Sequence, residues 1–152
     1  MKKLLLIALI GLTTIGFANA QSWVFAEQFS STGDVEPIDI KVDGNGDVYI
    51  VGNYEQPITI GGLAPLTYSG IQEDIFFCKF NEQGTAQWAR RIGGDAREFV
   101  GGLAIDPSNN IYIVGASRSP QLVFEGGTTT LLNTDSVFFD SFMAKYDGAG
   151  TL

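Results

Sequence analysis

Residues 40–52 of this sequence read IKVDGNGDVYIVG, and residues 103–115 read LAIDPSNNIYIVG. The two stretches share a set of identical positions at one spacing of 63 residues, among them Asp43 with Asp106, Tyr49 with Tyr112, and Gly52 with Gly115. Self-similarity at a fixed spacing is the signature of a repeat architecture. The chain is therefore expected to consist of two structurally equivalent units.

The similarity continues on both sides of these stretches. Trp23 matches Trp88, and the aromatic segment at 74–80 matches that at 140–146. These matches predict a first repeat at 21–84 and a second repeat at 85–152, both after the signal peptide that is predicted below at 1–20.

The local chemistry predicts strands rather than helices. Residues 48–51 and 111–114 are runs of β-branched and aromatic residues bounded by Gly, Asn and Asp, which favour turns. Four short strands in about 64 residues match one blade of a β-propeller. The predicted fold is all-β, with propeller-like blades of four antiparallel strands. A β-sandwich and a parallel solenoid are the alternatives.

Two repeats would make an incomplete propeller, because closed propellers have about four to eight blades. The uncovered outer faces are expected to expose residues such as Val51, Phe77 and Val114. Further blades or self-association of the chain would cover them.

The first twenty residues have the pattern of a secretory signal peptide. Lys2 and Lys3 precede an apolar run from Leu4 to Phe17, and Ala18-Asn19-Ala20 is a small-x-small cleavage sequence. This predicts export with a mature chain that begins at Gln21, which mass spectrometry of the exported protein would test. The expected location is extracellular or on the cell surface, with the periplasm as the alternative.

The expected mature chain is acidic and has few reactive groups. All 17 acidic residues follow residue 20, so nucleic acids are not expected partners, and no later segment is expected to span a membrane. The sequence has no histidine, and its single cysteine, Cys78, lies in an apolar run that predicts an inert buried thiol. Ser119 has no base near it in the sequence. No enzyme activity and no catalytic residue are therefore predicted.

The segment with Asp43, Asn45 and Asp47 is the candidate metal site. Alternating oxygen-bearing side chains on a tight loop suit Ca²⁺, which prefers oxygen ligands. The second repeat offers Asp106, Ser108 and Asn110 instead, and neither repeat adds a distant glutamate. A hairpin turn rich in Asx residues and glycine is the favoured interpretation, so no cofactor is required. Melting curves with and without Ca²⁺ would discriminate the two.

Two further groups of charged residues have a binding and a structural interpretation. Arg90 and Arg91 could clamp an anion beside Trp88, but pairing with nearby acids is favoured. Asp74 and Asp140 could form a carboxylate pair for glycoside hydrolysis. Because they recur at equivalent positions, they are interpreted as turn or strand-edge residues.

The pattern resembles the bacterial SBBP-type β-propeller repeat. The residues that carry this resemblance are Trp88, Gly93-Gly94, the blocks 103–106 and 110–115, and 142–147. The resemblance implies a repeated-blade propeller in an exported or surface protein. It implies nothing specific about function, because propellers host many activities.

The expected function is that of an exported, non-enzymatic module that binds a protein, peptide or glycan, or that serves as a scaffold. One alternative is a part of a propeller enzyme whose catalytic residues lie on other blades. The other alternative is a calcium-stabilised structural module.

Overall fold

A computed structural model of the chain describes residues 25–69, 72–133, 135 and 137–152. Over these residues the chain forms strands and no helix, so the all-β prediction is confirmed. None of the described residues forms a helix suited to crossing a membrane. The strands are β1 (Phe29–Ser30), β2 (Val35–Val42), β3 (Val48–Tyr54), β4 (Thr59–Ile60), β5 (Asp74–Phe80), β6 (Ala86–Gly93), β7 (Glu98–Ile105), β8 (Ile111–Ser117), β9 (Gln121–Phe124), β10 (Thr130–Leu132) and β11 (Asp140–Tyr146).

Two antiparallel sheets contain most of these strands. The first sheet has the order β2, β3, β5, β6, which is a four-stranded blade, and the hairpin of β9 and β10 extends it beyond β6. The second sheet has the order β7, β8, β11. A short third pair joins β1 to β4. The blades of the prediction are therefore present, and over the described residues they are not closed into a ring.

The sheets are offset by one strand from the sequence repeats. The tryptophan strand β6, which opens the unit 85–152, pairs with β5 and completes the sheet of the preceding unit. Trp23 and the predicted signal peptide at 1–20 lie outside the described residues. Phe25 contacts Gly84 in the first sheet, as Trp88 contacts Gly150 in the second.

The repeated glycines mark a close approach between an aromatic ring and a strand. A Cβ atom on Gly52 would lie 2.6 Å from the ring of Phe76, and one on Gly115 would lie 2.7 Å from the ring of Phe142. Real Cβ atoms do not approach other atoms this closely. Glycine is therefore required on β3 opposite the ring of Phe76 and on β8 opposite the ring of Phe142.

The main core lies between the two sheets. Its aromatic centre is Phe77, whose ring lies 4.8 Å from that of Trp88 and 6.3 Å from that of Tyr49. Tyr146 packs on Phe77 from the second sheet. A second core covers part of the opposite face of the first sheet, where residues of 54–66 pack on Phe76, Cys78 and Phe80.

The expected exposure of Val51 and Phe77 is wrong. Both side chains are fully buried, because they face the second sheet across the main core. The third residue, Val114, is 47% exposed as expected, since it lies on the opposite face of the second sheet.

Candidate functional site

The two ends of the sheets differ in the length of their connections. Tight turns at 43–47, 81–85, 106–110 and 147–151 lie at one end. The other end, called the loop face below, carries the connections at 55–73, 94–97 and 118–139. Binding residues occur preferentially on such loops, because a rigid scaffold positions them. The loop face is therefore where a site is sought.

A buried ion pair lies at the start of β5 on the loop face. The Asp74 carboxylate is fully buried, and the Nε atom of Arg91 on β6 lies 2.7 Å from its Oδ2 atom. Ser69 donates hydrogen bonds to the same carboxylate from its backbone amide and from its hydroxyl group. The ion pair links β5 to β6, and the hydrogen bonds from Ser69 attach the preceding loop to the start of β5.

A second buried carboxyl group lies beside this pair, at the start of β7. The Oε1 atom of Glu98 accepts hydrogen bonds from the hydroxyl groups of Ser117, at 2.9 Å, and of Ser119, at 2.5 Å. Its Oε2 atom accepts a hydrogen bond from the backbone amide of Gly94. Burial, together with the neighbouring Asp74 carboxyl, raises the pKa of Glu98 to about 7. Below, Asp74, Arg91, Glu98, Ser117 and Ser119 are called the carboxyl cluster.

The Asn53 side chain links the two sheets beside the carboxyl cluster. It is buried, donates to the carbonyl of Glu98 at 2.8 Å and accepts from the amide of Val100. The cluster and this amide thus hold the loop ends of both sheets together.

A groove adjoins the carboxyl cluster on the loop face. It has a volume of about 290 Å³ and lies between the hairpin of β9 and β10 and the start of β11. Its lining combines apolar and polar groups, among them Leu122, Leu132, Phe142, Ser119, Asn133 and Asp140. Pockets of about 300 Å³ with an apolar lining and a few polar groups are typical of small-ligand or side-chain binding.

The charged residues predicted to form ion pairs or strand edges differ in the roles that the structure gives them. Arg91 pairs with an acid, as favoured from the sequence, whereas Arg90 stacks on Trp88 and donates to the carbonyl of Gly150 at 3.1 Å. Asp74 and Asp140 each begin a strand, but they are not alike. Asp140 is exposed at the groove, and Asp74 is a buried ion-pair residue rather than a simple turn residue.

The expectation that Ser119 has no base near it is wrong. Glu98 lies 21 positions away in the sequence, and the fold brings its carboxyl group against the Ser119 hydroxyl. Both residues are fully buried, so the contact is closed to solvent although Ser119 adjoins the groove.

Glu98, Ser117, Ser119 and Asn53 were missed as functional residues by reasoning from the repeat. A signal was present, because the repeat fails at these positions. Val35 occupies the place of Glu98 in the first sheet, and Tyr54 occupies that of Ser117. A buried acid where the other repeat has valine indicates a role specific to this part of the molecule.

The candidate metal residues lie in the tight turn between β2 and β3, opposite the loop face. The Oδ1 atom of Asp43 accepts the backbone amides of Asn45 at 2.8 Å and Asp47 at 3.0 Å, and its Oδ2 atom accepts the Tyr49 hydroxyl at 3.3 Å. The Asp47 carboxylate pairs with Lys79 at 2.8 Å. The turn is an Asx-stabilised hairpin, and a Ca²⁺ ion at it stays a prediction.

The same turn geometry recurs at Asp106. Its Oδ1 atom accepts the amides of Ser108 and Asn110, and its Oδ2 atom accepts the Tyr112 hydroxyl at 3.2 Å. Hydrogen bonds from the Asn110 side chain and from backbone amides lower the pKa of Asp106 to about 2. In the described residues no group of three or more His, Cys, Asp or Glu has the geometry to hold a metal ion.

Cys78 is buried in the second core, as predicted. Burial raises the pKa of its thiol to about 12, so the reactive thiolate is a negligible fraction near neutral pH. Its role is that of a small apolar side chain.

Comparison with known proteins supports the repeat that the sheets display. Residues 87–120 match a family model described as SBBP, a β-propeller repeat. This segment covers β6 and the first two strands of the second sheet. An uncharacterized WD repeat-containing protein of Acanthamoeba polyphaga mimivirus is 32% identical to this chain over 124 residues.

That match covers 73% of this chain and 9% of the viral protein, so the chain spans a small part of its relative's length. The matched repeat, the relative and the antiparallel sheets agree with one another. Together they support a β-propeller repeat in this chain, and the sheets of its described residues are not closed into a ring.

Proposed function

We propose that this chain is an exported, non-enzymatic β-propeller module that binds a protein, peptide or glycan through its loop face. The observation that carries the proposal is the groove of about 290 Å³ beside the carboxyl cluster. Its floor is apolar and buried at Leu122 and Phe142, and its rim is exposed at Leu132 and Asp140. Such a groove suits a ligand with an apolar group and a few hydrogen-bonding groups.

The charge of the loop face limits the chemistry of the ligand. A second pocket on this face is lined by the acidic residues Asp34, Glu36, Glu55 and Glu73. Of these, Glu73 forms an ion pair with Arg97. The acidic residues of this pocket favour a neutral or cationic ligand over an anionic one.

Two observations support a role without catalysis. The carboxyl groups of the cluster are buried and engaged in the ion pair and hydrogen bonds described above. The sequence has no histidine to act as a general base, and the Cys78 thiol is buried. Export is proposed on the N-terminal sequence pattern alone, which lies outside the described residues.

The test is a binding screen of the purified chain against a glycan array and a displayed peptide library. We expect that the ligands found lose at least tenfold in affinity, about 1.4 kcal/mol, when Leu132 is changed to Asp. Leu132 is exposed, so this change should not affect folding.

The matched control is Asn45→Asp, an exposed change in the tight turn at the opposite end of the sheets. It should leave the affinity unchanged. The proposal is overturned if no probe binds, or if Asn45→Asp weakens binding as much as Leu132→Asp does.

A further inference from the structure

The two sheets pack through one face of each, and each of these faces has an equivalent on the other sheet. The first sheet contributes Val51 and Phe77, and the second contributes Leu103 and Ile105. Below, a face like that of Val51 and Phe77 is called a trailing face, and one like that of Leu103 and Ile105 is called a leading face. Each sheet has one of each, so one trailing face and one leading face are left over.

The left-over trailing face lies on the second sheet. Val114 has the position that Val51 has in the first sheet, and it is 47% exposed whereas Val51 is fully buried. Met143 has the position of Phe77, and it is 70% exposed whereas Phe77 is fully buried. The apolar character of the face is therefore retained where nothing in the described chain covers it.

The left-over leading face lies on the first sheet. Ile40 has the position of Leu103, and it is 58% exposed whereas Leu103 is 6% exposed. Val42 has the position of Ile105 and is 61% exposed. Exposed large apolar side chains grouped on one face of a sheet mark an interaction surface.

The left-over trailing face also has the lysine and tyrosine that make polar contacts in the covered interface. Lys79 lies over the ring of Tyr49, at 5.2 Å, and donates to the carbonyl of Gly148 in the turn of the other sheet. Lys145 lies over the ring of Tyr112, at 5.5 Å. Glu82, in a turn of the first sheet, has the position of Gly148. A leading face packed on the second sheet would therefore offer Lys145 both the backbone carbonyl and the side-chain carboxylate of Glu82.

The edge of the second sheet also matches a segment of the first. β5 pairs with β3 on one side and with β6 on the other, whereas β11 pairs only with β8 among the described strands. β1 pairs with β4 through Phe29 and Ile60, as β6 pairs with β9 through Ile92 and Phe124. β1 thus has the place of a fourth strand that belongs to a preceding sheet.

We propose that this chain assembles head to tail with a second copy of itself. The trailing face of one molecule, at Val114 and Met143, packs on the leading face of the next, at Ile40 and Val42. The segment 25–30 of the next molecule then lies along the free edge of β11. Because propellers close with about four to eight blades, two to four molecules would complete a ring.

Sedimentation velocity of the full chain tests this proposal. We expect a closed dimer, trimer or tetramer for the wild type. Met143→Asp and Ile40→Asp should each give monomers, because each places a charge on one of the two faces. Both side chains are mostly exposed in the single molecule, so circular dichroism should show that the variants remain folded.

Mixing the two variants provides the sharpest measurement. Met143→Asp retains an intact leading face, and Ile40→Asp retains an intact trailing face. An equimolar mixture should form a one-to-one dimer that grows no further. Val42→Asp is a second leading-face variant in case Ile40→Asp does not fold.

Leu132→Asp, in the groove of the loop face, lies on neither assembly face and should assemble as the wild type does. Failure of assembly is thereby separated from failure of ligand binding. A monomeric wild type would overturn the proposal, as would a symmetric dimer that survives Met143→Asp, or a mixture of the variants that stays monomeric.

Discussion

Changing Arg91 to Met is expected to lower the free energy of unfolding by about 3–5 kcal/mol, which is the cost of leaving a buried charge without its partner. The Asp74 carboxylate is fully buried, and the Arg91 guanidinium lies 2.7 Å from it. Methionine retains much of the apolar stem of the side chain and removes the charge. The two hydrogen bonds from Ser69 remain, but they do not neutralise the carboxylate. Urea denaturation followed by circular dichroism measures the change.

The matched control is Lys41→Met, which removes the cation of an exposed ion pair. Lys41 lies 2.5 Å from Asp39, and its side chain is 44% exposed. Exposed pairs contribute little, so the expected loss is below about 1 kcal/mol. A loss for Arg91→Met no larger than that for Lys41→Met would contradict the role assigned to the buried pair.

A double variant separates the loss of charge pairing from the loss of packing. Adding Asp74→Asn to Arg91→Met removes the unpaired charge and keeps an acceptor for Ser69. Most of the lost stability should return, because replacing both partners of a buried pair is far less costly than removing one. If the double variant is as unstable as the single one, packing by Arg91 and not its charge is responsible.

The repeat in the sequence predicts what the two sheets have in common. The pairs Tyr49 with Tyr112 and Gly52 with Gly115 make the same contacts within their own sheets, because each hydroxyl bonds an Asx-turn carboxylate and each glycine faces an aromatic ring. Such features arise from contacts within one sheet, so they recur with the sequence.

The boundary between the sheets does not follow from the repeat. A periodic sequence has no preferred starting point, so assigning Trp88 to the beginning of a unit or to the end of the previous one is arbitrary. Pairing settles it, since Lys79 of β5 lies opposite Trp88 of β6. The same offset explains why Phe77 is buried, because a neighbouring sheet covers it.

The carboxyl cluster could not be predicted from the repeat either, for a different reason. Glu98 differs from its counterpart Val35, and a polar residue near a strand end is ordinarily interpreted as exposed. Its burial depends on the loop at 118–139, whose residue Ser119 covers it. Contacts that a variable loop makes with a non-repeated residue have no periodic signal.

Glu98 is expected to make the stability of this protein fall as the pH rises through the acidic range. Burial raises its pKa from the ordinary value of 4.5 to about 7 in the folded chain. Between these values the folded chain binds more protons than the unfolded chain, so the free energy of unfolding decreases with rising pH. The decrease is at most about 3 kcal/mol, because each unit of pKa corresponds to about 1.4 kcal/mol.

The variant Glu98→Gln isolates this contribution, because glutamine resembles the protonated acid and does not titrate. Its Oε1 atom can still accept from Ser117 and Ser119. The difference in unfolding free energy between wild type and variant should change by about 3 kcal/mol from about pH 4 to about pH 8 and stay constant above about pH 8. Carboxyl groups that do not contact Glu98 cancel in this difference, and Glu82→Gln on an exposed turn is the matched control. A difference that is flat across this range, or one that favours the wild type as the pH rises, would show that burial does not raise the pKa of Glu98.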